Sequence, residues 1–204
     1  QAQYQSMIQS TTPTSNANSI LAFESGTINQ NLDQSTIGDG RIRFANVGDR
    51  TYTGGGTNGT LAPGLGNFSD SVIGGTTSAN RIYRFGGASG NTLSINLAGT
   101  GNLTDVGGVT DVQIGSQAIL GPNGNLGSTG FTYFQDQNTY TGQTVVSRFA
   151  TLRFNTAMAT GNAAGPLGAN ATSAIDVYGG LRFEGTGNIF QNGSTTDHFY
   201  SNLN

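Results

Sequence analysis

The sequence predicts an all-β fold, a β-solenoid or a close relative of one. Three observations carry that reading. Short apolar runs alternate with polar residues, glycine or asparagine follows almost every run, and a few short motifs return along the chain. The first strand signal is Ser19-Ile20-Leu21-Ala22-Phe23, and further runs follow at 41–44, 81–85, 92–97, 110–114, 131–134, 144–146, 151–154, 174–178 and 181–183. Leu93, Ile95 and Leu97 occupy alternate positions, and Val112 and Ile114 repeat the pattern. A period of two gives a strand one apolar and one polar face. Between the runs lie Gly54-Gly55-Gly56, Gly74-Gly75, Gly86-Gly87, Gly107-Gly108 and Gly179-Gly180. Glycine enters left-handed backbone conformations without steric cost, so these read as turns. The best helix candidate, residues 155–160, is short, and almost no helix is expected.

Composition narrows the class. Gly accounts for 33 of 204 residues, about twice the usual share of roughly 7%. Charged residues make up 9%, where roughly 25% is typical. Hydrophobic residues are 34%, and 11 Phe with 7 Tyr supply a narrow core. A stack of thin repeats needs no more, because each repeat covers only its neighbour. The patterned apolar residues argue against disorder. Cysteine is absent, which excludes disulfides, thiolate metal sites and thiol catalysis. All eight basic residues are arginine, which excludes lysine isopeptide bonds and Schiff bases. A formal charge of -3 with scattered basic residues argues against a nucleic-acid surface. No apolar run of about 18 residues is present to insert into a membrane as a helix.

Residues 1–19 are polar, poor in glycine and rich in Gln, Ser and Thr. They read as an extended N-terminal arm or a first strand, ahead of a single solenoid domain at 20–204. Three weak repeats run through that domain. An apolar residue precedes Arg-Phe at Ile42-Arg43-Phe44, Tyr83-Arg84-Phe85, Leu152-Arg153-Phe154 and Leu181-Arg182-Phe183. Thr-Tyr-Thr-Gly occurs at 51–54 and 139–142, and a Pro-Gly-Leu-Gly-like loop at 63–66, 124–127 and 166–168. Irregular spacing fits degenerate coils with unequal loops. Phe44, Phe85, Tyr140, Phe154 and Phe183 are therefore expected to pack inward. Arg43, Arg84, Arg153 and Arg182 are expected to face solvent, stacked on adjacent rungs, and to be a candidate exposed strip for gripping a glycan.

Catalytic chemistry has little to build on. The one histidine, His198, has no Gly-x-Ser-x-Gly elbow to serve. Of the 11 carboxylates, Asp105 with Asp111, or Asp176 with Glu184, are the pairs that adjacent rungs could bring together, as a glycosidase or lyase would need. No cofactor is expected. Structural calcium is the one metal considered, at Gly38-Asp39-Gly40 or Asn46-Val47-Gly48-Asp49, but neither matches a calcium-binding repeat and both read better as turns. Sequons at Asn58, Asn67, Asn102, Asn170 and Asn192 are expected by chance in so Asn- and Thr-rich a chain.

Gln137-Asn138-Thr139-Tyr140-Thr141-Gly142-Gln143-Thr144-Val145-Val146, followed by Ala150-Thr151-Leu152-Arg153-Phe154, resembles the autotransporter-associated β-strand repeat. The flanks from 81 to 95 and 163 to 183 extend the likeness to about half the chain. Gln143 and Ala150 depart from it, each standing where the repeat usually has glycine. The resemblance implies a right-handed parallel β-helix in a secreted or surface protein of a bacterium, with no catalytic set, used as stalk, adhesin body or surface-layer material. At roughly 20–29 residues per coil the chain would make about eight or nine coils. The expected role is a structural subunit that associates with itself into a filament, sheath or layer, and the arm at 1–19 is a candidate for donation to the next subunit. Two other roles stay open: an adhesion module binding glycans or matrix, and a carbohydrate-active enzyme. An antiparallel β-sandwich or jelly-roll is the alternative fold, with Asn-Gly hairpins at Asn58, Asn123 and Asn192.

Overall fold

The computed structural model describes residues 20–24, 26–37, 42–55, 59–65, 81–86, 90–97, 103–115, 130–135, 137–155, 165, 167–169 and 175–184. Strands follow one another in rungs. The first holds β1 (Ile20–Phe23), β2 (Thr27–Ile28) and β3 (Leu32–Asp33), and the second β4 (Arg43–Asn46), β5 (Arg50–Tyr52) and β6 (Leu61–Ala62). Then come β7 (Arg81–Phe85) with β8 (Thr92–Ile95), and β9 (Thr110–Ile114) with β10 (Gly130–Phe134). The last two rungs are β11 (Thr144–Val146) with β12 (Ala150–Phe154), and β13 (Ile175–Val177) with β14 (Gly180–Phe183). The only helical element among the described residues is a 3-10 turn at Gln34–Thr36, which Asp33 caps by accepting from the Ser35 N–H.

One six-stranded sheet runs β1-β4-β7-β9-β11-β13 and a second runs β2-β5-β8-β10-β12-β14, while β3 pairs with β6 in a separate two-stranded sheet. Each strand therefore bonds to its counterparts in the preceding and following rungs, and every ladder is parallel. Parallel pairing excludes the antiparallel sandwich for these residues. The described residues make six rungs with loops of unequal length: Ile20 lies beside Arg43, but Phe44 lies beside Phe85. Residues 156–160 of the helix candidate, the arm at 1–19 and the three Asn-Gly asparagines lie outside the described residues.

Side chains from both main sheets meet in one apolar cluster. From the first sheet come Leu21, Phe44, Phe85, Ile114, Val146 and Val177, in register from strand to strand. Edge-to-face rings link neighbours, Phe23 to Phe44 at 5.3 Å and Phe85 to Phe134 of the facing sheet at 5.9 Å. Each such pair adds about 0.5–1.5 kcal/mol beyond its buried area. The two sheets differ on their outer faces. In the first, β4, β7 and β9 are buried on both faces apart from Arg81, as parallel strands commonly are. In the second, β8 and β12 alternate buried with half-buried residues.

Between β4 and β7 the ladder opens, since Phe44↔Phe85 is the only paired position there. The opening is filled from elsewhere. Gly64 exchanges two backbone hydrogen bonds with Ile82, and the Gln34 side-chain amide donates to the Arg84 carbonyl (2.8 Å) while accepting from the Arg84 N–H (3.3 Å). Gln34 is fully buried. Its amide thus acts as a piece of strand, giving the edge of β7 the partners that β4 does not reach.

The strands β2, β3, β5 and β6 are not among the runs that the sequence predicts: three of them are two residues long, too few to establish a period, and β5 (Arg50–Tyr52) carries a single apolar side chain. A buried hydroxyl gives the test of this core. Thr132 lies between Leu93 and Leu152 in the second sheet, fully buried, and its Oγ1 has no hydrogen-bond partner among the described residues. A buried unsatisfied hydroxyl costs about 1–3 kcal/mol. Thr132→Val keeps the branched shape and removes that cost, so urea denaturation should find the variant about 1 kcal/mol more stable than the parent chain.

Candidate functional site

Among the described residues, the outer face of the second sheet is the one broad strand surface left half-open. Thr27, Thr51, Ser94, Tyr133, Arg153 and Arg182 follow one another across it, each in register with the next. Beside that row Thr92, Phe131, Thr151 and Gly180 make a second one. Both rows point away from the core, because Ile95, Phe134, Leu152 and Phe154 take the inward positions of the same strands.

Charge and rings gather at one end of this face. The Arg153 guanidinium lies 4.0 Å from the Phe131 ring centroid and donates from Nη1 to Thr92 Oγ1 at 3.2 Å. Glu184 Oε1 lies 3.0 Å from Arg153 Nε, without the alignment of a hydrogen bond, and 3.1 Å from Arg182 Nε. Two cations thus share one carboxylate oxygen. The Arg182 side chain is 60% exposed. Tyr133 stands half-buried beside Arg153. Burial raises its hydroxyl above the ordinary 10.0, the Glu184 charge adds to the rise, and Arg153 opposes it.

Of the residues expected to pack inward, Phe44, Phe85, Tyr140 and Phe154 are buried and Phe183 is half-buried against the same cluster. The arginine strip needs correction. Arg182 is exposed and Arg153 half-buried, but Arg43 and Arg84 are each only 1% exposed. The Arg-Phe motif occurs twice in each main sheet, and the first sheet's outer face is covered. There Arg43 donates to Gln113 Oε1 at 3.1 Å, and Arg84 to the Leu65 carbonyl at 2.9 Å. The four arginines therefore do not form one strip. Phe131, Tyr133 and Glu184, which complete the open face, carried no motif. Only the alternation of residues 130–134 could have pointed to the two rings, and Glu184 stood out only as a carboxylate paired with Asp176.

The carboxylates are engaged separately. Asp105 accepts from the N–H groups of Thr110 and Thr141 and from the Thr141 hydroxyl. Asp111 accepts from the Gln143 N–H, and Asp176 from the Gln143 side-chain amide. Asp176 is in the first sheet and Glu184 follows the second, so that pair is not brought onto one face. In the turn 46–49 the Asn46 amide bonds to the Gly48 carbonyl, and Asp49 accepts from the Thr92 N–H at 2.7 Å. Those oxygens hold the turn and the next rung. Asp39 and His198 lie outside the described residues, among which no group of three or more potential metal ligands gathers.

The Asn138–Val146 stretch spans a corner. The Asn138 side-chain oxygen accepts from the Leu103 N–H, and Asn138 bridges Gly165 through its backbone. Gly142 passes so close to the previous rung that an added Cβ would lie 2.3 Å from the Thr110 carbonyl oxygen. Gln143, where the repeat usually has glycine, links Asp111 to Asp176 across three rungs. No family model, curated protein or solved structure matches the chain.

Tyrosines of the two Thr-Tyr-Thr-Gly motifs, with Tyr83, tie core to corners. The Tyr52 hydroxyl accepts from the Leu32 N–H and donates to the Gln30 carbonyl at 2.7 Å. Tyr83 reaches the Leu61 and Thr104 carbonyls, both at 3.1 Å, and Tyr140 pairs with Thr144 Oγ1 at 2.6 Å. Burial raises all three hydroxyls above 10.0, and Tyr83 is pushed up to about 12. Below pH 10 the group is neutral folded and unfolded. Above it the unfolded chain ionises first, so stability falls as pH rises from about 10 to about 12, by about 2–3 kcal/mol from Tyr83 alone. Urea midpoints measured across that window should drop with pH, and Tyr83→Phe should flatten the drop.

Proposed function

We propose that this chain is a non-catalytic structural protein of a bacterial surface or of the secreted fraction, built as a right-handed parallel β-helix that stacks on copies of itself. The observation that carries the reading is where the core stops being covered. The apolar residues only partly buried against the main cluster are Leu21, Ile28, Val177, Leu181 and Phe183. All five lie on β1, β2, β13 and β14, the outermost strands of the two main sheets. Both ends of the described stack thus carry half-covered apolar side chains, beside a strand with no further ladder partner among the described residues.

Edges of that kind invite pairing with another chain. The two ends are complementary by construction. They belong to the same two sheets, and a parallel strand arriving at β13 or β14 would continue the existing ladder direction. Contacts between unlike ends do not close on themselves and extend into filaments. The low charge and the neutral hydroxyl and amide surface offer little repulsion between copies. The resemblance of residues 137–154 to a surface-protein repeat agrees with this role and with the location.

Negative-stain electron microscopy of the whole chain tests the reading. Regular filaments or lattices are expected, and Phe183→Asp, which puts a charge on the end strand, should leave dispersed particles. Loss of the polymer on deleting residues 1–19 would identify that segment as a donated arm. Dispersed short particles from the parent chain at all concentrations would contradict the proposal.

A further inference from the structure

From the outer face of the second sheet we infer a binding strip for a carboxylated sugar polymer, with Arg182 as its anion contact and Tyr133 as its ring platform. The inference stands on that face alone and does not depend on the chain forming filaments.

The chemistry is set by what the face offers and what it lacks. Glu184 places one carboxylate oxygen between Arg153 and Arg182, so the cluster keeps one positive charge in a chain whose formal charge is -3. Arg153 is committed to Phe131, Thr92 and Glu184. Arg182 contacts Glu184 through Nε while its side chain stays 60% exposed, so its planar guanidinium fork is open to solvent. Such a fork suits the two oxygens of a carboxylate, and a point charge does not reproduce it.

The rest of the row selects a sugar over a simple anion. Next to the arginines is Tyr133, and beyond it Ser94, Thr51 and Thr27 carry hydroxyls in register. Successive members stand about 4.8 Å apart, the distance between hydrogen-bonded strands. That repeat is close to the length of one sugar ring in an extended chain. A polymer lying across the strands would meet a cation, an aromatic ring and then a line of neutral hydrogen-bonding groups. An acidic peptide would find no exposed strand edge along this line to pair with. A neutral glycan would leave the Arg182 fork unanswered.

Polygalacturonate serves as the probe, with the full chain titrated by calorimetry at low salt, poly-glutamate as a ring-free polyanion and dextran as a neutral sugar polymer. Saturable binding of polygalacturonate above both controls is expected. Arg182→Gln should weaken it by about tenfold or more. Arg182→Lys, which keeps charge and loses the fork, should fall well short of the parent. Tyr133→Ala should weaken it about three- to tenfold. Arg148→Gln, an exposed arginine off the strip, should bind as the parent does. Absence of binding, equal losses in Arg148→Gln and Arg182→Gln, or poly-glutamate binding as tightly with Tyr133→Ala silent would each overturn the inference.

Discussion

Ile28, Tyr52, Ile95, Phe134, Phe154 and Phe183 lie one above another through the second sheet, each paired with the next in strict register. The rest of the molecule depends on that alignment. A slip of one residue at any ladder would turn Phe134 or Phe154 outward and bring Tyr133 or Arg153 into the core. The register also decides which side chains form the outer face. The row from Thr27 to Arg182 exists because its inward neighbours are locked. Aromatic contacts through the core, such as the tilted Phe154–Phe183 pair at 5.5 Å, and the continuous parallel ladder enforce the same alignment from two directions.

Unequal loops threaten that regularity, and polar side chains restore it. Asn31 accepts from the Gly55 and Thr60 N–H groups, Asn138 from Leu103, and Asp105 from Thr110 and Thr141. Gln34 does the same inside the first sheet, where β4 leaves part of β7 uncovered. Backbone groups that a shorter, regular coil would satisfy by itself are satisfied here by amides and carboxylates from neighbouring rungs. The abundance of Asn, Gln and Thr thereby acquires a mechanical meaning. These residues close corners whose loops differ from one rung to the next.

The legibility of the sequence follows the same division. Thr92–Ile95 and Ala150–Phe154 announce themselves because one of their faces is half-open, so burial is written as alternation. Arg81–Phe85 and Thr110–Ile114 are correctly placed as strands, but nothing local marks their polar residues as covered. Arg84 and Arg153 occupy the same dipeptide and meet opposite fates, since the difference lies in which sheet they join. The cluster of Arg182, Glu184, Phe131 and Tyr133 is assembled from two strands far apart in the chain, and the Gln34–Arg84 amide pair is likewise invisible to any periodicity. What a strand is could be read from its residues. What lies over it could not.

The central claim is that six rungs stack in parallel and in register. The chain has no cysteine, so two introduced cysteines carry spin labels without interference. Electron-electron resonance distances between labels at Thr27 and Arg153, and between Thr27 and Arg182, measure the stack directly along the outer face of the second sheet. The account predicts narrow distributions near about 19 Å and about 24 Å, four and five strand spacings of about 4.8 Å each, with the second longer by one spacing. Equal distances, the reverse order, or broad distributions beyond about 40 Å would contradict the stack.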